Sequence, residues 1–414
     1  MKLNILKNLS VTGVCYFSAM VLIFTSCNKA LPDATPIIYP PVNNSSSTIG
    51  DLLNTDTSFS FFKAAATKSG MLAQFSDTTK ILTAFIPDNN AFRASGFPSL
   101  AAVNSLPPKS LGGIVGYSII PGQQYLSTTI PAKFPNTQLP TSITIGQLPG
   151  TTINLQLTTF PSVSATGFYD NNIPVVKPDM KMKNGVVHVL AAIVAPPSQV
   201  LRDALYNNPN LTYFKAAIAR ADSGQTGLNK FDSLLNYPVT NMTVLAPNDA
   251  AFQTLIFGLA FQSYLSHFPS PTAMDTANAV ATANGAVAAG PVFLSTNNVS
   301  TALIRGVMAY HFLATDMGSG FQPNIRVFSV NIPPTSSTPF FITTLVNSSF
   351  APHPGIKADA MYTGPFVTQL QFTGLGTFPS GGAPYSGTPS NAVSLDNHEV
   401  NGVYYVIDKV LLPQ

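Results

Sequence analysis

The sequence predicts an α+β chain in which one unit is written twice. Three observations carry that expectation. Four sequence blocks recur in the same order in the two halves of the chain. Within each half, segments with helical spacing of apolar residues give way to short apolar or β-branched runs bounded by proline or Asn-Gly. Hydrophobic residues make up 45% of the 414, enough to build packed cores in two or three domains of ordinary size.

Composition narrows the function classes. Charged residues are 9%, against about 25% in ordinary globular chains. Proline, at 35 residues, is well above its usual share. The polar surface is therefore mostly Ser, Thr, Asn and Gln. A charge-rich disordered chain, a coiled coil and a basic nucleic-acid binder are excluded. Glu399 is the sole glutamate, so neither a pair of catalytic glutamates nor a His-Glu-x-x-His zinc site can form.

The N-terminal segment reads as an address. Lys2 and Lys7 precede the uncharged, mostly apolar stretch Leu9–Phe24, which ends in Thr25-Ser26-Cys27. This is the three-part plan of a secretory signal over residues 1–26, too short for the ~20 apolar residues of a membrane span. An uncleaved anchor is the alternative. The small residues before Cys27 resemble a bacterial lipobox, which implies cleavage before Cys27 and membrane tethering through acyl chains on it. Stable anchoring needs more than one such chain. Cleavage removes Lys2, Lys7 and Cys15, leaving 18 basic and 17 acidic residues, a net +1. The folded part then holds no disulfide, thiol nucleophile or thiolate metal site. The rest of segment 27–47 is rich in Pro, Asn and Ser and reads as an extended tether.

The duplication occupies the remainder. Phe62-Lys63-Ala64-Ala65 answers Phe214-Lys215-Ala216-Ala217 at an offset of 152. Thr83-Ala-Phe-Ile-Pro-Asp-Asn-Asn-Ala-Phe92 answers Thr243-Val-Leu-Ala-Pro-Asn-Asp-Ala-Ala-Phe252 at 160. Tyr117 answers Tyr310 at 193, and Asn184-Gly-Val-Val-His-Val-Leu190 answers Asn401-Gly-Val-Tyr-Tyr-Val-Ile407 at 217. The order is kept and the offset only grows, so the second copy carries insertions. In each copy a short strand stops at Pro87 or Pro247, and Asp88 or Asn248 caps the helix that follows. Each Asn-Gly is a tight turn leading into a closing strand that ends at Pro196 or Pro413. The units are thus 48–197 and 198–414, joined by a short linker that limits hinge freedom.

These blocks resemble the fasciclin (FAS1) domain, in which a strand-Pro-Thr-Asp-x-Ala-Phe block opens the unit, a Tyr-His pair lies mid-domain and Asn-Gly-Val-Ile-His-Val-Ile-Asp-x-Val-Leu-Leu-Pro closes it. The second copy ends Asn401-Gly-Val-Tyr-Tyr-Val-Ile-Asp-Lys-Val-Leu-Leu-Pro413. The resemblance covers residues 48–414 and implies that each unit is a wedge-shaped β-sandwich with a helical layer. A Cys-anchored pair of such domains is similar to envelope lipoproteins of the Bacteroidetes type. The family's Tyr-His pair is linked to adhesion, so the resemblance implies a contact surface at Tyr310-His311, against the structural role that the apolar stretch Ile304–Leu313 favours. The first copy departs with Tyr117-Ser118, the second with Tyr405 in place of the closing-strand histidine that His188 keeps. Asn89 stands where the family has Asp, and Asp249 keeps it.

Other candidates are weaker. His188 alternates with Val187 and Val189 and reads as a satisfied, partly buried imidazole. His267, His353 and His398 fall in expected loops, and no two histidines have metal-ligand helical spacing, so no metal is expected. There is no Gly-x-Ser-x-Gly, phosphate-binding loop or Gly-x-Gly-x-x-Gly, and nothing pairs two aspartates for glycoside hydrolysis. Neither an enzyme nor a cofactor is expected. The insertions are the expected seat of individual function. Ala273–Gly290 reads as a loose helix or a loop. Gly374–Ser390 carries Phe378 and Tyr385, aromatics suited to stacking on sugars or packing on their own domain. Asp77-Thr78-Thr79, Asp232-Ser233-Leu234 and Asp275-Thr276-Ala277 resemble O-glycan acceptor sites. The expectation is a non-catalytic, membrane-anchored lipoprotein of the outer membrane, displayed at the cell surface or on the periplasmic face. It would bind extracellular matrix, a surface protein or a polysaccharide, and no nucleic acid. The alternative is a glycan-capture accessory of an outer-membrane nutrient importer.

Overall fold

The computed structural model describes residues 45–413 apart from 133–135, 149, 296–298, 319, 337, 349–353 and 377–386. These residues fall within one compact unit running from Pro41 to Gln414. The expected signal segment, Cys27 and the tether up to residue 44 lie outside the described residues, as do Phe378, Tyr385 and His353.

The first copy opens with α1 (Ile49–Thr55) and α2 (Ser60–Lys68). Thr48 starts α1 through a capping box, its hydroxyl accepting from the Asp51 amide while the Asp51 carboxylate accepts from the Thr48 amide. β1 (Leu82–Pro87) ends at its proline, and Asp88 accepts from the Ala91 amide to cap α3 (Asn89–Ala94). α4 (Leu100–Ser105) and α5 (Pro108–Tyr117) complete the helices. The strands β2 (Ile119–Pro121), β3 (Leu139–Gln147), β4 (Asn154–Thr159), β5 (Pro161–Ser164), β6 (Gly167–Asp170), β7 (Ile173–Met182) and β8 (Gly185–Leu190) follow.

The main sheet has the order β2-β1-β8-β7-β6-β5, with β3-β4 a separate hairpin. β1 and β8 pair in parallel at its centre, and every residue of both is buried because both faces are covered. Leu82, Ala84, Ile86, Val187 and Val189 face the helices and pack with Phe62, Phe92 and Leu111. Phe85 and Leu190 face the other way, against Tyr117 and the hairpin residues Leu139 and Leu157. Close approach explains the glycine of the closing block. Gly185 has φ +147, and a Cβ on it would meet the Leu82 carbonyl oxygen at 1.9 Å.

The second copy repeats the plan. α6 (Leu201–Asn207), α7 (Thr212–Ala221) and α8 (Phe231–Asn236) precede β9 (Met242–Pro247). Asn248 accepts from Ala251 to cap α9 (Asp249–Leu265). α10 (Ala273–Ala288) and α11 (Thr301–Tyr310) follow. Then come β10 (Phe312–Leu313), β11 (Thr315–Asp316), β12 (Phe321–Gln322), β13 (Phe340–Ile342), β14 (Ile356–Thr363), β15 (Phe366–Thr373), β16 (Ser390–Glu399) and β17 (Gly402–Ile407). The sheet order is β10-β9-β17-β16-β15-β14-β13, again with a central parallel pair, β9 and β17. β9, β10 and β17 start 160, 193 and 217 residues after β1, β2 and β8, the offsets of the sequence blocks.

The insertion Ala273–Gly290 is a helix rather than a loop. Thr272 and Asp275 form a second capping box at its start, and its alanines favour helix. The asparagine of each Asn-Gly does more than turn the chain. Asn184 accepts from the Ile49 amide at 2.9 Å and donates to the Phe75 carbonyl at 2.8 Å. Asn401 accepts from Leu201 at 2.8 Å and donates to Leu235 at 2.9 Å. Each ties its closing strand to the first helix of its own copy.

Candidate functional site

The residues expected from sequence fall mostly in the interior. Tyr310 and His311 are both fully buried. This goes against a contact surface at the pair and with the structural role. Tyr310 donates to the Gly355 carbonyl at 2.7 Å and accepts from the Leu375 amide. His311 Nδ1 donates to Val307 O at 2.7 Å, and Nε2 accepts from the Leu411 amide at 3.0 Å. With both nitrogens engaged by neutral groups, burial lowers the imidazole pKa to about 4. The pair locks α11 to the chain end after β17. In the first copy Tyr117 ties α5 to β4 by donating to Thr158 O, whereas Ser118 only donates back to Ile114 O of its own helix.

His188 is also fully buried, stacked on Phe85. Its Nδ1 accepts from the Asp179 amide at 3.1 Å, so Nε2 carries the proton and donates to Tyr125 O at 2.9 Å. Burial lowers its pKa. His267 is exposed beyond α9. His398 lies on strand β16 rather than in a loop, because β16 runs unbroken up to the Asn-Gly turn. Among the described residues, no group of three or more His, Cys, Asp or Glu is placed to hold a metal ion, and no helix is long and apolar enough to cross a membrane.

A relation missed in the sequence links the copies. Asp179 and Asp396 both have left-handed φ, +59 and +50, and stand 217 residues apart. Asp179 accepts from the Ser127 amide and hydroxyl, Asp396 from the Ser329 amide and hydroxyl. Extending the closing blocks upstream at their own offset would have found the pair.

A concave polar feature lies on the seam between the copies. Phe160 and Tyr169 of the first copy are buried in the core of the second, with Leu245, Phe328 and Tyr405. Tyr169 donates to Pro365 O at 2.9 Å, Asn172 to Asp396 Oδ2 at 3.2 Å, and Asn136 to Asn331 Oδ1 at 2.8 Å. At the centre stands Arg326, 2% exposed, its guanidinium 4.4 Å from the Phe160 ring centroid. Its acceptors are all neutral: Asn241 Oδ1 at 2.7 Å, His398 Nε2 at 2.8 Å, and the carbonyls of Glu399 and Val400 at 3.2 Å. Burial without a bonded carboxylate lowers its pKa to about 10. Burial and the Arg326 charge together hold His398 well below the ordinary imidazole range.

Two carboxyls are shifted by burial, and one of them, Glu399, feels this cation. Asp170 is 1% exposed, and burial raises its pKa to about 7 against the Thr159 hydroxyl that donates to it. Glu399 is raised to about 7 by burial, opposed by a hydrogen bond from Gln199 and by Arg326. The linker is stitched to the second copy where Val400 N donates to Gln199 O at 2.9 Å. Beside it opens a cleft of about 360 Å³, lined by Asn171, Asn172, Gln199, Asp396, His398 and Glu399 among others. Amides and carboxyls of this kind suit hydrogen bonding to a polar, uncharged ligand. Asp170 is too buried to meet a substrate.

Comparison with known proteins agrees with this architecture in the first copy. Residues 57–196 match the family model described as the fasciclin domain. Among solved structures, the chain is similar to a fasciclin-domain pair from the insect cell adhesion molecule fasciclin I. The identity is 14% and the TM-score 0.32, covering 86% of this chain and 97% of that one. No curated protein matches the chain.

Proposed function

We propose that the chain is a non-catalytic, membrane-anchored lipoprotein of the cell envelope, of the Bacteroidetes type. Two fasciclin-like domains, 48–197 and 198–414, would mediate adhesion or binding to a matrix component, surface protein or polysaccharide. The observation that carries this reading is the fasciclin match over 57–196, on a copy whose central strand order the second copy repeats. Fasciclin domains are typically adhesion modules without catalytic activity. The signal-like segment ending at Cys27 supports an outer-membrane lipoprotein with its lipid on that residue.

The seam supports the binding role. A bound partner meets one body there, so little ordering cost falls on association. The amide-rich cleft favours, as a second reading, capture of a neutral glycan for an outer-membrane importer. Protein lacking residues 1–27 should bind a matrix protein, a cell surface or a neutral glycan array. Asn172→Ala with Gln199→Ala should weaken that binding about tenfold, and deleting 374–390 tests Phe378 and Tyr385. Unchanged binding in both variants rejects these sites. Protease treatment of intact cells separates surface display from the periplasmic face.

A further inference from the structure

The insertion of the second copy builds a feature that the shared fold does not require. In the first copy α3 (Asn89–Ala94) is followed directly by α4. In the second, α9 runs on to Leu265 and α10 folds back against it. The buried residues of α9 end at Ile256. Beyond that point Phe257, Leu259, Ala260, Phe261 and Tyr264 remain partly exposed. α10 opposes them with small residues and buries only Ala279, Ala283 and Ala286. Alanine and glycine cannot fill the space across from phenylalanine and leucine.

A groove of about 890 Å³ results, lined by Leu259, Tyr264, His267, Phe268, Thr282 and Phe293 among others. That size is within the range of small-molecule sites. No Lys, Arg, Asp or Glu lines it, and from Asp249 to Leu303 the only such residues are Asp249 and Asp275. A charged head group would find no counter-charge among the lining side chains. His267 Nδ1 is held near the Ser263 carbonyl at 2.9 Å, so its Nε2 is an acceptor suited to a hydroxyl. Ser263 and Thr282 add further hydrogen-bonding capacity.

We infer that the groove between α9 and α10 is a binding site for an uncharged, lipid-like molecule, a hydrocarbon body carrying at most a hydroxyl or ester. The absence of charge along the hairpin argues against an ionic lipid surface, which draws on basic residues. Gly285 offers a clean test, because a Cβ there meets nothing within 4 Å and its backbone is helical. Gly285→Phe fills the groove while improving helix propensity.

The full chain is titrated with the uncharged fluorescent probe N-phenyl-1-naphthylamine, then competed with hexadecanol or with hexadecanoate. Wild type should bind the probe, release it to hexadecanol at least tenfold more readily than to hexadecanoate, and bind at least tenfold more weakly as Gly285→Phe. The variant's melting temperature should be unchanged or higher. Absence of probe binding, equal binding by the variant, or equal competition by hexadecanoate would each overturn the assignment. So would binding to phosphatidylcholine vesicles that survives Gly285→Phe, which would give the hairpin to a membrane surface.

Discussion

The Tyr405 hydroxyl lies 2.7 Å from Asp396 Oδ1 and 2.9 Å from Val327 O, at the position where the first copy places His188 beside Asp179. One hydroxyl proton cannot serve both acceptors. Asp396 also accepts from Ser329 and Asn172, which favours its ionised form against the burial that raises its pKa. The two copies thus hold the same aspartate with different aromatic partners.

Tyr405→Phe removes that hydroxyl and leaves buried acceptors short of a donor. It should cost about 1–3 kcal/mol, read as a lower denaturant midpoint at unchanged slope. A midpoint equal to wild type would show the hydroxyl contributes nothing.

Stability should depend on pH through the seam. Asp170 and Glu399 have folded pKa values raised to about 7, above their unfolded values of 3.8 and 4.5. Their contribution is therefore fully present below about pH 4, falls as pH rises towards 7, and is flat above. For Asp170 the loss is of order 4 kcal/mol at most. Asp170→Asn keeps an oxygen for the Thr159 hydroxyl and should remove the Asp170 part of the melting-temperature change between pH 4.5 and 8, leaving the part due to Glu399. An undiminished slope would place the titration elsewhere.

Arg326→Met should leave Asn241, His398 and two carbonyls without their donor, at a cost of about 3–5 kcal/mol. Arg326→Lys should not rescue it, because an ammonium cannot span those four acceptors from one plane. Since Phe160 and Tyr169 sit in the second copy's core, calorimetry of the wild type should show one transition and of Arg326→Met two. A single transition at the wild-type temperature would deny the arginine its seam role.

Gly185→Ala places a Cβ against the Leu82 carbonyl in a backbone region that L residues rarely adopt. The loss should exceed about 3 kcal/mol and appear as first-copy unfolding in hydrogen exchange. Native-like protection of β1 and β8 would contradict the close approach.

Much of the fold was legible because it is local. Proline followed by Asp88 or Asn248 announces a strand end and a capped helix, and both caps form. Asn89 and Asp249 share one job, accepting from the Phe61 and Tyr213 amides, but Asn89 also donates to Thr57 O, which an aspartate cannot do. The candidate site was legible only in part. Tyr310-His311 stood out as a motif, and its apolar setting, Ile304–Leu313, pointed to the interior position the pair takes, against the contact surface that the resemblance implies. Arg326, His398 and Phe160 come together only through packing of one copy on the other, and no periodicity along the chain records that contact. Ser127 and Ser329 share only a short Ser-x-x-Ile pattern, too brief to find without the strands that frame it.

The parallel pairing of Met242 with Gly402 and of Leu82 with Gly185 has a consequence for synthesis. In each copy the middle of the sheet waits for the copy's final strand. A chain delivered N-terminus first can close its first copy while the second is still a thread. β9 then stays unzipped, with two hydrophobic faces uncovered, until β17 emerges. Such long-range closure is slow, and it leaves the half-made second copy the part most in need of an escort.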